Sequence, residues 1–261
     1  VEVASIPWDA TDLTAWLKPN TKVVFVESPG SDLFETMDLP QLCKSAHSHG
    51  AIVVADNTYG SGWHYRPLTL GCDVSIIVGT KYLSGHADVM MGAVTARGAV
   101  VDALRKAVVS AGQTLAPDEA YATLRGMRTL NLRLERHQET AMRVALWLQD
   151  VKDVERVLHP GLTGHPGNTI WERDANGTNG LLSIVFAENI DATRFQNALR
   201  LFAIGSSWGG FESLTKRVNP RRNQNSLPFN CSDNVVRLHL GLEHRSDLTE
   251  DIEQAIASAK K

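Results

Sequence analysis

The chain has 261 residues, 43% hydrophobic and 21% charged, a composition typical of a globular protein with one large or two modest domains. A net charge of −3 offers no basic surface for nucleic acid or an anionic membrane, and no apolar run approaches the roughly 20 residues that span a bilayer. The first residues carry no secretion signal. Without a CxxC pair, the cysteines argue against a disulfide framework or a structural zinc site and predict a reduced, cytoplasmic setting. They are Cys43, Cys72 and Cys231.

Short apolar segments alternate with turn and helix signals through the first hundred residues. Strands are predicted at 22–27, 51–55, 73–79 and 90–96. A helix is predicted over 38–49, because Asp38 can cap its first turn, Pro40 fits that turn and Gly50 follows its end. Uniformly apolar strands joined by a helix are typical of an α/β domain whose sheet is covered on both faces.

The second half of the chain has a different pattern. Residues 117–150 read as helical, and Gly126 predicts either two helices or one bent helix. The later part is predicted to be α+β, with strands at 181–187 and 235–240 and helices at 191–200 and 247–260. We place the domain boundary at residue 127, which gives an α/β domain over 1–127 and an α+β domain over 128–261.

Two polar residues follow apolar strands at the expected ligand-binding edge of the sheet. Asp56 comes after AIVVA and Lys81 after DVSIIVGT, and open α/β sheets bind ligands beyond the carboxyl ends of their strands. A lysine partly buried there loses solvation, so its pKa should fall and its amine should become a nucleophile for a carbonyl. A Schiff-base lysine with an aspartate at the pyridinium nitrogen is how proteins hold pyridoxal phosphate. Thr80 could donate its hydroxyl to the phosphate.

Each of these residues also has an ordinary explanation. A lysine after a strand is more often a solvated loop residue, and an aspartate there more often caps a helix or forms a turn. His47 and His49 lie two apart on the predicted helix and face different directions, so they predict no metal site. Single histidines are expected to be structural, and an arginine stripe at helical spacing is expected to be solvated or to face another subunit. The stripe comprises Arg125, Arg128, Arg133 and Arg136.

Six segments resemble, in order, the motifs of one family. They are VFVESPGS, VVADNTYGSG, DVSIIVGTKYLSGHADVMMG, YATLRGMRTLNLRLERH, SSWGGFESL and VRLHLGLE. Through them the chain resembles the Cys/Met-metabolism enzymes, which use pyridoxal phosphate on the aspartate-aminotransferase fold, and most of all the cystathionine β-lyases among them. The resemblance implies a three-layer α/β/α cofactor domain of fold type I, N-terminally incomplete, followed by an α+β domain. It also implies a homotetramer assembled as a dimer of dimers.

The resemblance assigns a role to several residues. Lys81 matches the Schiff-base lysine, Asp56 the partner of the pyridine nitrogen and Thr80 the phosphate-binding threonine. Many relatives have a serine where this chain has Val78, so one phosphate contact is expected to be missing or replaced. For the substrate, Arg237 matches the arginine that binds the α-carboxylate, and its planar fork suits that task. Ser207 and Trp208 match a segment lining the same site.

The implied reaction is β-cleavage of cystathionine to homocysteine, pyruvate and ammonia, in methionine and cysteine metabolism. In it, the freed amine of Lys81 takes the α-proton as general base. Relatives that act at the γ-carbon remain the alternative: cystathionine γ-lyase, γ-synthase and methionine γ-lyase. Ser31 stands where those relatives usually have asparagine, and Trp208 where they more often have leucine, so the β-reaction is favoured. Other S-substituted cysteines stay open as substrates.

Two further hypotheses compete with this one. GSSWG at 205–209 also matches the G-x-S-x-G elbow of serine α/β-hydrolases, with Ser207, Asp233 and His239 in the required order. That hypothesis leaves Lys81 and Asp56 without a role, and colour separates the two because a lysine-bound cofactor is yellow. The other is a non-catalytic fragment, because relatives carry a phosphate loop and a ring-stacking tyrosine before VFVESP.

Overall fold

The computed structural model describes residues 2–220 and 232–261, which form two β-sheets flanked by helices. Cys231 lies outside the described residues. The first sheet has the order β1-β2-β3-β4 and is mixed, because β1, β2 and β3 run parallel and β4 runs antiparallel to β3. Its strands are β1 (Val23–Glu27), β2 (Ile52–Asp56), β3 (Val74–Val78) and β4 (Gly92–Ala96).

Helix α1 (Leu39–Ser48) connects β1 to β2 and ends where its sequence predicts. The Asp38 side chain accepts a hydrogen bond from the Gln41 backbone N–H, Pro40 lies in the first turn, and Gly50 has a φ of +74° just past the end. A short 3-10 helix, Pro67–Leu70, precedes β3, and α2 (Val100–Ser110) follows β4. The parallel β1-α1-β2 unit brings the ends of β1, β2 and β3 to one edge of the sheet.

Strand β1 differs from the expected uniform burial. Val24 and Val26 are buried, whereas Val23 and Phe25 are 50% and 60% exposed. The buried residues of β1 belong to the same hydrophobic cluster as the buried side chains of α1, so the helix covers this one face. The outward face of β1 borders a cavity of about 1090 Å³ between this strand and residues 2–22.

The helical middle of the chain forms two helices, α3 (Pro117–Met127) and α4 (Leu130–Gln149). Gly126 lies inside the last turn of α3 and marks a close approach, because a Cβ there would lie 2.2 Å from the Ser84 carbonyl oxygen. The expectation of a solvated arginine stripe is wrong for Arg133, which is 6% exposed. Its guanidinium donates to the carbonyls of Tyr82 and Gly126, both at 2.8 Å, and so fixes the turn after Lys81 to α4.

The second sheet has the order β5-β6-β9-β8-β7 and is antiparallel except where β7 pairs with β8. Its central strands β6 and β9 are buried along their whole length. The strands are β5 (Val154–Leu158), β6 (Leu181–Phe186), β7 (Ala203–Ile204), β8 (Leu214–Val218) and β9 (Val235–His239). The accompanying helices are α5 (Asn168–Asp174), α6 (Ala192–Ala198) and α7 (Arg245–Ser258).

One hydrophobic cluster joins the two halves of the molecule. It contains Val24 and Val53 of the first sheet together with Leu181 and Val235 of the second. A second cluster lies between the second sheet and the helices α4, α6 and α7. The expected boundary at residue 127 coincides with the end of α3, but buried apolar contacts cross it.

Over the part of the chain that the structure describes, no helix is long and apolar enough to cross a membrane. Within the same residues, no group of three or more His, Cys, Asp or Glu side chains could hold a metal ion. Cys43 and Cys72 are free, buried thiols whose sulfur atoms are 3.6 Å apart.

Candidate active site

Lys81 lies in the turn that follows β3, with its amine directed at the loop between β7 and β8. Its backbone N–H donates to the Val78 carbonyl at 3.1 Å. The Nζ atom donates to Ser207 Oγ at 2.8 Å and lies 5.4 Å from the centre of the Trp208 ring. Burial lowers the pKa of this amine, and the nearby Arg237 guanidinium lowers it further. A larger fraction of the amine is therefore neutral than at an exposed lysine.

The loop carrying Ser207 and Trp208 presses closely on the turn of Lys81. Gly209 has a φ of +87°, and a Cβ added there would lie 3.0 Å from Lys81 Cα. The buried His239 side chain lies behind the loop, with Nε2 3.1 Å from both the Gly209 nitrogen and the Gly210 oxygen. Only glycine fits this approach of two backbones.

This geometry does not support the serine hydrolase alternative. Residues 209–212 form bends rather than the helix that follows a nucleophile elbow. His239 contacts the backbone of Gly209 and Gly210, while the Ser207 hydroxyl accepts from Lys81. The serine is therefore hydrogen-bonded to a lysine and the histidine to the loop backbone.

Arg237 lies in the middle of β9 and is only 3% exposed. Its Nη1 donates to the Ser31 carbonyl and to Asp32 Oδ1, both at 3.0 Å. Its Nη2 donates to the carbonyls of Ser206 at 2.8 Å and Ser207 at 3.3 Å. These contacts hold the guanidinium between the loop after β1 and the loop that touches Lys81.

Asp32 and Lys216 belong to this site although the sequence did not indicate them. Asp32 accepts from Lys216 Nζ at 2.9 Å on each carboxylate oxygen, in addition to its bond with Arg237. Lys216 lies in β8, a strand that the sequence analysis did not predict. The available signals were weak: an aspartate after SPGS and a lysine within LTKRV.

Asp56 ends β2, beside Glu27 at the end of β1. Its carboxylate accepts from the backbone N–H of Thr58 at 2.9 Å and from the Thr58 hydroxyl at 2.5 Å. Burial raises the pKa of Glu27, a hydrogen bond from Ser31 opposes that rise, and the nearby carboxylate of Asp56 adds to it. The sheet edge thus carries several carboxyl groups, of which the sequence indicated only Asp56.

Thr80 is one residue before Lys81 and bonds locally. Its Oγ1 accepts from the Met91 backbone N–H at 3.0 Å and lies 3.4 Å from the Met91 carbonyl oxygen. The backbone N–H of Val78 donates to the Thr58 hydroxyl at 2.9 Å. Thr58 therefore links Asp56 to the strand that leads into Lys81, a role that the sequence analysis missed.

Four of the six indicated residues come together in the structure. Lys81, Ser207, Trp208 and Arg237 form one connected group across the two sheets. Asp56 and Thr80 lie at the same edge of the first sheet but bond to Thr58 and Met91. The large cavity beside β1 includes Asp32 in its lining and so reaches this group from one side.

Comparisons with known proteins agree on one family. The family described as "Cys/Met metabolism PLP-dependent enzyme" matches residues 1–257. A cystathionine beta-lyase of Bordetella avium is 43% identical over 251 residues, which cover 95% of this chain and 63% of that protein. A cystathionine gamma-lyase of Sus scrofa is 35% identical over 256 residues, which cover 95% of this chain and 63% of that protein.

The fold agrees with a solved structure. Cystathionine gamma-lyase from Lactobacillus plantarum, complexed with L-serine, superposes with a TM-score of 0.87 at 28% identity, over 94% of this chain and 66% of that one. This similarity confirms the expected fold type I. The chain spans about 63% of the length of the Bordetella avium protein.

Proposed function

This chain belongs to the Cys/Met metabolism PLP-dependent enzyme family, and from that premise we propose that it acts as a carbon–sulfur β-lyase. The proposed substrate is cystathionine or a related S-substituted cysteine. Cleavage of cystathionine with uptake of one water gives homocysteine, pyruvate and ammonia. The observation that carries the proposal is the Lys81 amine, with its lowered pKa, hydrogen-bonded to Ser207 and facing Trp208.

The residues at the sheet edge fit pyridoxal phosphate. Lys81 offers a nucleophilic amine for its aldehyde, Asp56 a carboxylate for its ring nitrogen and Thr80 a hydroxyl for its phosphate. When bound, the cofactor supplies an electron sink for the carbanion formed at the substrate α-carbon. Thr58 holds the Asp56 carboxylate through two hydrogen bonds and so fixes its position.

Lys81 has two successive tasks in this proposal. Its amine would hold the cofactor and, when free, would take the α-proton of the substrate as general base. A base works best when its pKa lies near the operating pH, and burial together with Arg237 moves the amine in that direction. Ser207 Oγ, 2.8 Å from Nζ, keeps the amine directed into the site.

Arg237 is the proposed partner of the substrate α-carboxylate. A buried guanidinium attracts a carboxylate strongly, because little water screens the charge and a hydrogen bond between two charged groups is stronger than one between neutral groups. Ser31, Ser206 and Ser207 hold it through their carbonyls, which leaves its orientation fixed before the substrate arrives.

Action at the β-carbon is the finer part of the proposal. It is supported by the 43% identity with a cystathionine beta-lyase, against 35% with the cystathionine gamma-lyases. Ser31 and Trp208 both lie at the site, and Trp208, 6% exposed, packs on Tyr82 with ring centres 5.5 Å apart. Cleavage at the γ-carbon is the second candidate, because gamma-lyases match the same share of the chain.

We also propose the assembly and location that the family resemblance implies, a cytoplasmic homotetramer formed as a dimer of dimers. Exposed apolar side chains on α2, α3 and α4 offer contact area for it. Val109, Tyr121 and Leu132 are 80%, 65% and 66% exposed. The division into the C-terminal part of a cofactor domain over 1–127 and a C-terminal α+β domain over 128–261 is likewise part of this proposal.

Covalent trapping tests the assignment of Lys81 as the lysine that binds the cofactor. The full-length protein is loaded with pyridoxal phosphate, reduced with borohydride and digested, and the pyridoxyl group is expected on the peptide containing Lys81. Lys81→Ala should lose the yellow colour and nearly all lyase activity, whereas the exposed-lysine control Lys44→Ala should keep both. A tag on a different peptide would overturn the assignment.

The products decide between the two lyase reactions in the same preparation. Pyruvate with homocysteine from L-cystathionine indicates β-cleavage, and 2-oxobutyrate with cysteine indicates γ-cleavage. Absence of both products from a loaded enzyme would contradict lyase activity on cystathionine.

A further inference from the structure

The Arg237 guanidinium is bonded to a carboxylate of its own chain. In the described part of the chain it donates to four acceptors, of which three are backbone carbonyls and one is Asp32 Oδ1. The carbonyls are fixed by the backbone, whereas the Asp32 carboxylate is on a side chain that is 29% exposed. Asp32 is therefore the partner that can leave Arg237 without a change in the backbone.

Lys216 is a second cation that binds the Asp32 carboxylate. Lys216 Nζ lies 2.9 Å from both oxygens of Asp32, and the lysine side chain is 24% exposed. The Asp32 backbone is anchored separately, because its carbonyl accepts from Ser183 Oγ at 2.6 Å. If Asp32 Oδ1 moves away from Arg237, the Asp32 carboxylate remains paired with Lys216, and the loop after β1 remains bonded to Ser183.

We propose that Asp32 determines the affinity of this site for the substrate α-carboxylate by competing with it for Arg237. The inference rests on the proposed function, in which Arg237 binds that carboxylate. The incoming carboxylate replaces Asp32 Oδ1 at Nη1, and Asp32 stays paired with Lys216. The exchange is one carboxylate for another, so Arg237 is never left as an unpaired buried charge.

The two possible roles of Asp32, as a competitor of the substrate or as a support of Arg237, predict opposite changes in carboxylate affinity when Asp32 is removed. If Asp32 competes, its removal strengthens carboxylate binding, because the substrate no longer displaces an ionic hydrogen bond. If Asp32 instead supports Arg237 as a positioning partner, its removal weakens binding, because the guanidinium loses its alignment. Glu27 and Glu35 also lie near Asp32, so losing one negative charge lowers the repulsion of an anionic group as well.

The test compares Asp32→Asn with the parent, using full-length protein loaded with pyridoxal phosphate. The probes are L-alanine, which has an amine and a carboxylate, and ethylamine, which has only the amine. Binding is followed through the cofactor absorbance. We expect Asp32→Asn to bind L-alanine about fivefold or more tightly and ethylamine unchanged, with Asp247→Asn, an exposed aspartate on α7, resembling the parent.

Lys216→Met provides the complementary variant. Without Lys216, a displaced Asp32 has lost its second cation, so Arg237 should hold it more firmly and L-alanine should bind several-fold more weakly. The proposal that Asp32 competes with the substrate would be overturned if Asp32→Asn bound L-alanine more weakly than the parent does. It would also be overturned if the affinity for ethylamine changed as much as the affinity for L-alanine.

Propionate separates a failure of this inference from a failure of the proposed function. It has a carboxylate but no amine, and calorimetry measures its binding to the loaded and the cofactor-free protein alike. Tighter propionate binding by Asp32→Asn supports the role of Asp32 even if Lys81 does not carry the cofactor. Unchanged or weaker propionate binding overturns it even if Lys81 is the trapped lysine.

Discussion

At the scale of single residues, two cations lie close together and affect each other. Burial lowers the pKa of the Lys81 amine first, and the positive charge of Arg237 lowers it second. Arg237 is itself balanced by Asp32, which is paired with Lys216. The reactivity of the amine therefore depends on a charge group that extends over both sheets.

Removing the charge of Arg237 should raise the pKa of Lys81. Since acylating reagents attack only the neutral amine, the rate of Lys81 acetylation in cofactor-free Arg237→Gln should rise at a higher pH than in the parent. The measurement is competitive labelling with acetic anhydride and mass spectrometry across a pH series, with the exposed Lys152 as internal reference. Arg237→Lys keeps a charge and should follow the parent profile more closely. If the acetylation rate of Lys81 depends on pH in the same way in Arg237→Gln and in the parent, the charge of Arg237 does not lower the pKa of Lys81.

At the scale of elements, the first sheet was predictable because each strand is short, apolar and bounded by turn residues. The ends of helix α1 were predictable from local signals, because Asp38 caps its first turn and Gly50 follows its last turn with a positive φ. Strands β5 and β8 were missed because VERVL and LTKRV mix charges into their apolar pattern. Those charges are tolerated because β5 is an edge strand and Lys216 of β8 pairs with Asp32.

The cap of α1 gives a prediction at this scale. Asp38 accepts from the Gln41 backbone N–H at 3.1 Å and pairs with Arg173 at 2.9 Å. Asp38→Ala should lower the free energy of unfolding at pH 7 by about 1 kcal/mol, because the first turn loses its cap. Asp38→Asn, which retains a capping oxygen, should remain close to the parent, since Arg173 is 46% exposed and its ion pair is screened by solvent.

The same aspartate makes this stabilisation depend on pH. The hydrogen bond from Arg173, followed by that from Gln41, lowers the pKa of the Asp38 carboxyl in the folded protein. Its contribution is therefore complete above the ordinary carboxyl pKa of about 4 and is lost as the pH falls through the lower folded value. Urea unfolding of parent and Asp38→Ala should give a difference that shrinks in acid. A difference that stays constant down to pH 2 would contradict the assignment.

At the scale of the whole molecule, the site exists because segments distant in sequence meet. Asp32 and Arg237 are 205 residues apart, and Lys81 and Ser207 are 126 apart. The local sequence pattern predicts that Lys81 and Asp56 follow strands, but it does not predict which distant loop lies opposite them. Family resemblance supplied Arg237, Ser207 and Trp208. Asp32 and Lys216 emerged only from the packing of one sheet on the other.

That packing should make the two halves unfold together. Asn179 is fully buried, donates to the Tyr59 carbonyl at 2.8 Å and accepts from the Leu181 N–H at 3.0 Å, so it links the loop after β2 to strand β6. Asn179→Ala leaves two buried backbone groups without this partner, which should cost about 2–4 kcal/mol. The exposed Asn197→Ala in α6 serves as control and should change little.

Two probes distinguish joint from separate unfolding of the halves. Far-ultraviolet circular dichroism follows the helices of both, and tryptophan fluorescence follows the six tryptophans, of which Trp171 and Trp208 are buried in the cluster shared by the two sheets. In the parent and in Asn179→Ala the two signals should give one coincident denaturant transition, and the midpoint should be lower in the variant. Loss of fluorescence well before loss of helix would mean that the halves separate before they unfold, and that the Lys81–Ser207 contact is weaker than the shared core implies.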